Sequence, residues 1–412
     1  MLTLLLTACD PYGVVVSPTS VATVLRVTWE GDADTVRFTS PGRSGTTSGA
    51  GEALIVGLHQ AEQVEIRVSG PSGESRPVTV QSGILPPGLP AFTVTAGDAA
   101  PWPMLMAAVG TPSWTYVIDE QGEVVWYVKL EEGLASTGVG LHGGLPLHNV
   151  MDTDKANDVG AVHQHAWDGT LIAETRVELG HHFFWMHDDG RLAYLQADVR
   201  LVEDEGFVVG DSLRIVHPDG ESELLWSAWD HFPWNKDELI DTGFYPQGFD
   251  WTHANGLSYD PVRDSYWISF AVQSSVVEVD ASTGATRNHL GFGGDWTVEG
   301  DGFGLDVGPH CPSMTPQGTL LLFDNQAPDD GTSRVLEYDL DFDGRVATPL
   351  SELSSTVYAE LLGCPRRTDD GLTLSSWGSG GLVTVHDGSE LVWQAEVDLG
   401  FSLGQVMPVS LP

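Results

Sequence analysis

The sequence contains very few basic residues. Lysine and arginine together number 18 against 58 aspartates and glutamates, and only three residues are lysine (Lys129, Lys155 and Lys236). Proteins that bind nucleic acid contact its phosphates through Lys and Arg, so a formal net charge of −40 excludes that class of partner. We interpret the acidic excess as a solvating surface, since a net charge far from zero keeps a protein soluble.

Long apolar runs are also missing. No stretch reaches the roughly 18 apolar residues that a membrane-spanning helix needs. The N-terminus reads MLTLLLTACD, and its LTAC segment has the pattern of a bacterial lipoprotein cleavage site. The apolar run before it is shorter than a usual signal segment and lacks a basic start. We expect residues 1–9 to be a signal segment and Cys9 to be lipidated, in a protein exported to the periplasm or outer membrane that contacts the membrane only through this anchor.

Amphipathic helical patterns are few, whereas turn residues are abundant. The sequence contains 48 glycines, 24 prolines and 14 tryptophans, which is typical of a turn-rich all-β fold. Alternating apolar and polar residues, as in ATVLRVTWEGDADTVRFTS, predict a small N-terminal β-sandwich domain over residues 18–95. Its early Trp29 and its Gly57-Leu58 corner are fibronectin-type-III-like. A proline-rich linker, ILPPGLPAF, spans residues 84–92.

A longer repeat begins at about residue 100. Six units of strands and turns cover about 310 residues, or roughly 50 residues each, a length typical of β-propeller blades. The sequence therefore predicts an all-β protein in which residues 100–412 form a six-bladed β-propeller. The terminal SLGQVMPVSL is expected to close the ring by pairing with the first blade. The last four units run over residues 182–232, 253–292, 310–353 and 361–397.

Cysteine is scarce, with three residues in the chain. Apart from Cys9, the sequence contains Cys311 and Cys364, each seven residues before the turn glycine of its unit. They therefore occupy equivalent positions in neighbouring repeats. An oxidising compartment permits a disulfide between them, and two buried free thiols are the alternative.

Three histidines recur at one phase of the repeat. His182, His253 and His310 each open a strand–turn–strand unit, and the first and third lie eight residues before a turn glycine. Equivalent positions on the inner strands of a propeller face one axis, so we predict that the three imidazoles meet in one pocket. Asn255, two residues after His253, is expected to project to the same face of its strand and to donate a hydrogen bond.

Other candidate residues are interpreted as structural. His163 and His165 alternate with their neighbours on one strand before a WDG turn, so one of them is expected to point inward. The DLDFDG segment (residues 339–344) has the aspartate spacing of a calcium loop, but Leu350 stands where that loop needs a glutamate. A plain hairpin turn is favoured there. Common nucleotide, hydrolase and metalloprotease motifs are missing.

The phase-matched histidines leave two chemistries open. Three histidines can ligate zinc or iron. Alternatively, one imidazole can act as a nucleophile while the others bind anionic oxygens and protonate a leaving group.

Several segments resemble the bacterial arylsulfate sulfotransferase family. The resemblance rests on DWTHANGLSYDPVRDSYWISF, on GPHCPSMTPQGTLLLFDNQ with SRVLEYDLD, and on GHHFFWMHDDG. WTYVIDEQGEVVWYV and GSGGLVTVHDGSELVW are similar to the family's first and last blades, so the likeness covers most of the region after the linker. Family members are exported six-bladed propellers with a small N-terminal β domain.

The resemblance implies a reaction and a role for each histidine. The family's sulfate-accepting histidine matches His310, its H-x-N motif matches His253 and Asn255, and its blade-initial histidine matches His182. The implied reaction moves a sulfuryl group from a phenolic sulfate ester to a phenolic acceptor through a sulfohistidine, with no cofactor, no metal and no PAPS. The other three residues would stabilise charge on the equatorial oxygens, and one would protonate the departing phenoxide.

One position departs from the family pattern. The strand after the H-x-N motif usually carries an arginine that clamps the sulfate, and here it reads ISFAVQSS, with Ala271 and Val272 in place of Arg and His. A lost guanidinium removes charge-assisted hydrogen bonds worth about 1.5–3 kcal/mol each. Arg366 and Arg367 are the candidate replacements. A propeller lipoprotein that binds a ligand or partner without catalysis, or a three-histidine metal site, therefore stays an alternative function.

Overall fold

The computed structural model describes residues 12–41, 43–153, 160–240, 243–300, 308–325, 331–398 and 400–412. This part of the chain is almost entirely β-strand, with a short α-helix, α1 (Ala228–His231), and two 3-10 helices (Lys236–Glu238 and Gly378–Gly380). None of its helices has the length and apolarity required to cross a membrane. The expected signal segment and Cys9 lie outside the described residues.

The N-terminal strands are β1 (Val15–Pro18), β2 (Leu25–Thr28), β3 (Thr35–Ser40), β4 (Arg43–Ser48), β5 (Glu52–Ile55), β6 (Gln63–Gly70), β7 (Gly73–Glu74) and β8 (Val78–Gln81). They form one sheet of order β1-β2-β5 and a second of order β4-β3-β6-β7, with β8 also paired to β6. The two sheets enclose a common apolar core that includes the fully buried Val27, Val36 and Ile66. Alternating apolar residues supply this core, because successive side chains of a strand point to opposite faces.

The next three sheets begin after β9 (Ala91–Ala96). The first contains β10 (Met104–Val109), β11 (Trp114–Ile118) and β12 (Val124–Lys129). The second contains β13 (Leu134–Ala135), β14 (Val139–His142), β15 (Leu145–Asp152), β16 (Ala161–His165) and β17 (Leu171–Arg176). The third contains β18 (Gly180–Met186), β19 (Leu192–Val202), β20 (Gly206–Val216), β21 (Ser222–Ser227) and β22 (Phe249–Asp250).

The remaining strands form three more sheets and return to the first. The fourth sheet contains β23 (Ala254–Asp260), β24 (Ser265–Phe270), β25 (Ser275–Asp280) and β26 (Thr286–Gly291). The fifth contains β27 (Thr297–Val298), β28 (Pro309–Met314), β29 (Leu320–Asp324), β30 (Arg334–Asp341) and β31 (Val346–Ser354). The sixth contains β32 (Cys364–Arg367), β33 (Thr373–Ser376), β34 (Leu382–Asp387) and β35 (Glu390–Asp398), and the final strand is β36 (Ser402–Pro408).

These sheets pack face to face in a closed cycle. Separate apolar clusters join the first sheet to the second, the second to the third, and so on to the sixth. A further cluster joins the sixth sheet to the first, through Trp393 and Trp114. The terminal strand β36 pairs antiparallel with β10, as expected from the sequence. Such a cycle is a β-propeller, and we interpret its six sheets as six blades.

The boundary before the propeller differs from the prediction. Strand β9 begins within the range assigned to the N-terminal domain and ends one residue after it, but it pairs antiparallel with β35 and extends the sixth sheet, with Phe92 opposite Val397. The outer edge of a blade presents unpaired backbone N–H and C=O groups, and β9 satisfies them. The alternating pattern of residues 91–96 therefore belongs to the propeller.

A disulfide joins the fifth and sixth sheets. Cys311 on β28 and Cys364 on β32 are bonded, with their Cα atoms 5.1 Å apart. Both side chains are buried. Of the two alternatives left by the sequence, the structure shows the bridge, between neighbouring sheets as their equivalent repeat positions predicted.

Candidate active site

A cavity of about 650 Å³ lies at the centre of the ring. A volume of this size suits a small organic ligand. Each of the six sheets, or a loop adjoining it, contributes to its wall, which fixes the central position. Residues that represent the successive sheets are Val109, Ala135, His182, His253, His310 and Leu362.

The three phase-matched histidines line this cavity together. The ring centroids of His182 and His253 are 5.2 Å apart, in an edge-to-face arrangement. Both residues have positive φ angles, of 52° and 50°, and His310 directly precedes Cys311, whose φ is 48°. The register of each inner strand shifts at this point. Bulges of this kind redirect side chains beside active sites, and non-glycine residues at positive φ cost about 1–3 kcal/mol.

A buried carboxylate orients His253. Its Nδ1 lies 2.5 Å from Oδ2 of Asp250, which is 1% exposed. A carboxylate accepts hydrogen bonds, so Nδ1 of His253 carries the donated proton. The pair can therefore stabilise a positive charge on His253.

A second carboxylate acts on His182 through another histidine. Nδ1 of His182 lies 2.8 Å from Nδ1 of His181, whose Nε2 lies 2.9 Å from Oδ1 of Asp211. Asp211 also accepts hydrogen bonds from the Thr252 hydroxyl and the Ala254 N–H, at 2.5 and 2.6 Å. Burial by itself would raise the pKa of Asp211, but these hydrogen bonds and the charge of His181 outweigh it and lower the pKa. Asp211 is therefore an anion that holds His181 and, through it, His182.

His310 has a different environment. Its side chain is 5% exposed. Burial first, and then the positive charge of His253, lower its pKa from 6.5 to about 3, against an interaction with the Asn325 side chain, as acceptor of the imidazole N–H, that raises it. At neutral pH the His310 imidazole is uncharged, so it keeps the lone pair that a nucleophile needs.

Three other candidate residues lie outside the cavity wall. Asn255 is fully buried and accepts a hydrogen bond of 2.6 Å from the Ser269 hydroxyl, and it does not line the cavity. The prediction that it shares a face with His253 is wrong, because the bulge between Ala254 and Gly256 interrupts the alternation of the strand. Across a bulge, two residues that are two positions apart no longer point to the same face of the strand.

Neither candidate arginine lines the cavity. Arg367 forms an ion pair with Glu337, with Nη2 and Oε2 2.7 Å apart. Arg366 is half-buried, and burial lowers the pKa of its guanidinium. Both follow Cys364 along β32, and a strand advances about 3.3 Å per residue. They are therefore carried away from the cavity end of the strand, and the prediction that they bind substrate there is wrong.

The wall of the cavity carries little charge. Its described residues include no lysine or arginine, and its one carboxylate is Glu360. Ala271 and Val272 lie on the wall, where the related pattern has Arg and His. The structure therefore places the substituted positions in contact with the space that a substrate would fill.

Several residues of this site were missed from the sequence. The Phe244 ring lies 4.8 Å from His182 and 5.0 Å from His253, measured between centroids. It belongs to the excursion between the third and fourth sheets, which has no counterpart in the repeat. The sequence does point to two of these residues. Asp250 lies three residues before the candidate His253, and His181 directly precedes the candidate His182. Asp211 sits at a strand position that nothing in the pattern distinguishes.

The spacing of the cavity histidines does not favour the metal alternative. Within the described ranges, the histidines whose ligand atoms all lie within 4.8 Å of one another are His148, His163 and His165, on the second sheet. The three cavity histidines come from three different sheets and do not form such a group.

The fold and the cavity together define a β-propeller with a histidine-lined central site. The sequence matches the family model for arylsulfotransferase (ASST) over residues 102–347, which is more than half of the chain. The protein belongs to the arylsulfotransferase family. No curated protein matches the sequence.

Solved structures with a similar fold are distant in sequence. A protein of unknown function from Bacteroides caccae is 14% identical, with 76% of this chain and 100% of that chain covered and a TM-score of 0.48. A putative 6-phosphogluconolactonase from Bacteroides uniformis is 12% identical, with 92% and 100% covered and a TM-score of 0.44. The Swd1 β-propeller domain from Myceliophteria thermophila is 11% identical, with 77% and 89% covered and a TM-score of 0.42. With TM-scores below 0.5, these similarities carry no argument about this chain.

Proposed function

We propose that this protein is an arylsulfate sulfotransferase-like enzyme that moves a sulfuryl group from a phenolic sulfate ester to a phenolic acceptor through a sulfohistidine. The observation that carries the proposal is the uncharged His310, which shares a cavity with two imidazoles that buried carboxylates hold. Family membership supplies the reaction class.

In the first half-reaction, a ring nitrogen of His310 attacks the sulfur atom of the ester. The N–S bond forms as the bond between sulfur and the phenolic oxygen breaks. His253, protonated and held by Asp250, gives its Nε2 proton to the departing phenoxide. The products are a sulfohistidine at His310 and a neutral phenol.

The second half-reaction reverses these steps with the acceptor. The neutral His253 removes the proton of the acceptor phenol, and the resulting phenoxide attacks sulfur. The N–S bond breaks, and its electron pair returns to His310. One residue thus acts as general acid and then as general base, which requires that its charged and neutral forms be close in free energy at the working pH.

His182 would bind the oxygens of the transferred group. In this role the Nδ1–H of His181, which lies beside Asp211, donates a hydrogen bond to Nδ1 of His182. The Nε2–H of His182 then donates to a sulfate oxygen. A hydrogen bond on one ring nitrogen sets the proton of the other in this way, and oriented donors stabilise charge that spreads in the transition state.

Apolar surface completes the site. Phe244, Leu361, Leu362 and Phe401 line the cavity, and rings of this type contact an aromatic ligand through edge or offset faces. The wall therefore fits the aryl group of donor and acceptor, while the histidines face the sulfate.

The test is release of nitrophenol from a nitrophenyl sulfate, measured with and without a phenolic acceptor. We expect turnover by the wild-type protein and none by His310→Asn, which cannot form the covalent intermediate. His182→Asn should leave partial activity, because one oriented donor typically contributes 10²–10³-fold. Activity that survives His310→Asn would contradict the assignment of the nucleophile.

A non-catalytic binding protein is the second candidate function. The observation that favours it is the uncharged wall at Ala271 and Val272, in a cavity whose described wall includes one carboxylate. Binding of an aryl sulfate or a phenol by the wild-type protein, with no turnover of any aryl sulfate, would support it.

A further inference from the structure

A second group of histidines lies on the second sheet, away from the central cavity. His148 is on β15, and His163 and His165 are on β16. His148 is directly opposite His163 in the antiparallel register, and His165 is two residues further along. All three side chains therefore share one face of the sheet. Their nearest ligand atoms lie within 4.8 Å of one another, and none of the three lines the central cavity.

The spacing of the ring nitrogens suits a tetrahedral metal ion. Nε2 of His148 and Nε2 of His165 are 3.2 Å apart. Zinc binds histidine nitrogens at about 2.0–2.1 Å in tetrahedral geometry, which places two such nitrogens about 3.3–3.4 Å from each other. Two of the three ligands are therefore already at the separation that coordination needs.

Hydrogen bonds on the opposite ring nitrogens hold these two side chains. Nδ1 of His165 lies 3.2 Å from the Gly169 carbonyl oxygen, which can only accept, so Nδ1 carries the proton and Nε2 keeps its lone pair. Nδ1 of His148 lies 2.8 Å from the Thr115 hydroxyl, on β11 of the first sheet. Metal-bound histidines usually have an outer partner of this kind, which fixes the ring and the tautomer.

The group is buried but reachable. His148 and His165 are 2% and 6% exposed, whereas the His163 side chain is 21% exposed. His163 Nε2 lies 3.2 Å from Oε2 of Glu174, whose side chain is largely exposed on β17. The exposed rim gives a metal ion an entry path, and Glu174 supplies an oxygen atom beside it.

We propose that His148, His163 and His165 bind one divalent transition metal ion of the zinc type, with water or the Glu174 carboxylate as the fourth ligand. Three nitrogen ligands and one oxygen form the donor set that zinc accepts in tetrahedral sites. Through Thr115 the ion would also fasten the first blade to the second. The site is separate from the proposed sulfuryl transfer and does not depend on it.

The experiment uses the full chain after removal of metal with a chelator. Calorimetric titration with Zn²⁺ should show one ion bound per chain, and Co²⁺ should give the strong visible absorption of tetrahedral coordination. His148→Gln, His163→Gln and His165→Gln should each weaken binding more than 10-fold, since loss of even an outer partner costs 10–100-fold. His163→Gln, at the exposed rim, keeps the test valid if a buried variant fails to fold.

Two further variants make the result specific. His217→Gln is the matched control, because His217 forms a surface pair with Glu223, at 3.1 Å between Nε2 and Oε1, as His163 does with Glu174. This variant should bind Zn²⁺ like the wild type. His253→Gln tests the central cavity as the binding site. Loss of the ion in His253→Gln with retention in His163→Gln, or no binding by the wild type, would overturn the proposal.

Discussion

Single side chains of the central cavity differ in what holds their rings. Asp250 accepts a hydrogen bond directly from His253, whereas Asp211 acts on His182 through His181. Among the described residues no carboxylate is paired with His310, which burial keeps neutral. One chain thus places an uncharged imidazole next to imidazoles that can carry charge, which is the division of labour that a nucleophile and its acid–base partner require.

Removing the carboxylate behind His253 should change the leaving-group dependence of the reaction. In Asp250→Asn the imidazolium of His253 loses its stabilising charge, so protonation of the phenoxide becomes harder. We expect the rate with phenyl sulfate to fall about 10–100-fold, by analogy with the loss of the outer hydrogen-bond partner of a metal-bound histidine. With nitrophenyl sulfate the loss should be smaller, because nitrophenoxide leaves without help from an acid. Equal losses with both substrates would show that Asp250 has no part in proton transfer.

The buried His310 should make the fold less stable in mild acid. Its pKa is about 3 in the folded protein and close to 6.5 in the unfolded chain, so between these values only the unfolded chain binds the proton. Its contribution to the free energy of unfolding is complete above pH 6.5 and is lost as the pH falls towards 3. The free energy of unfolding, measured with urea at several pH values in this window, should rise with pH in the wild type. In His310→Asn it should rise less steeply, by about 1.4 kcal/mol per pH unit. Equal slopes would show that His310 is not buried in its neutral form.

Ala271 offers a test of the missing sulfate clamp. Ala271→Arg places a guanidinium on the cavity wall, where charge-assisted hydrogen bonds of about 1.5–3 kcal/mol each can form with the sulfate oxygens. We expect kcat/KM for nitrophenyl sulfate to rise about 10-fold or more, since 1.4 kcal/mol corresponds to a factor of ten. Ala271→Met, similar in length but uncharged, is the control and should show no gain. A wild type without turnover, combined with activity in Ala271→Arg, would favour the binding-protein function.

At the level of strands, the inner-strand bulges decide which side chains enter the cavity. Counting back from the turn glycine makes His182 and His310 equivalent, and both do line the cavity. The positive φ angle, however, falls on His182, on His253 and on Cys311, one residue after His310. The repeat therefore predicted the cavity histidines, but not the local geometry by which each one reaches it.

The failures of prediction have the same origin. Alternation along a regular strand predicts that Asn255 lies beside His253, but the bulge between Ala254 and Gly256 removes it from the wall. A sequence gives no sign of how far along a strand the cavity extends, so Arg366 and Arg367 were assigned to it although they lie beyond its edge. Phe244 was missed because the excursion that contains it has no repeat against which to compare it. The strand pattern predicts the blades well. It predicts poorly the irregular segments that complete the site.

At the scale of the whole molecule, the proposed export and anchoring depend on Cys9. The LTAC segment predicts cleavage before this residue and lipidation of its thiol. Cys9→Ser removes the thiol, so we expect the variant to leave the membrane fraction when expressed in a bacterial host, as measured by fractionation. Cys311→Ser is a control that should remain membrane-bound wherever it folds. A Cys9→Ser variant that stays with the membrane would show that the lipobox interpretation is wrong.

The pairing of β36 with β10 determines when the protein can finish folding. The first blade takes its last strand from the C-terminal end of the chain, nearly 300 residues after β10. Contacts between residues so distant in sequence form late and slowly. A ribosome or a secretion pore that still holds the terminal segment therefore keeps the first blade incomplete and its contact with the last blade open. For the export that we propose, this delay is useful, because the ring is completed only after β36 has passed through the membrane.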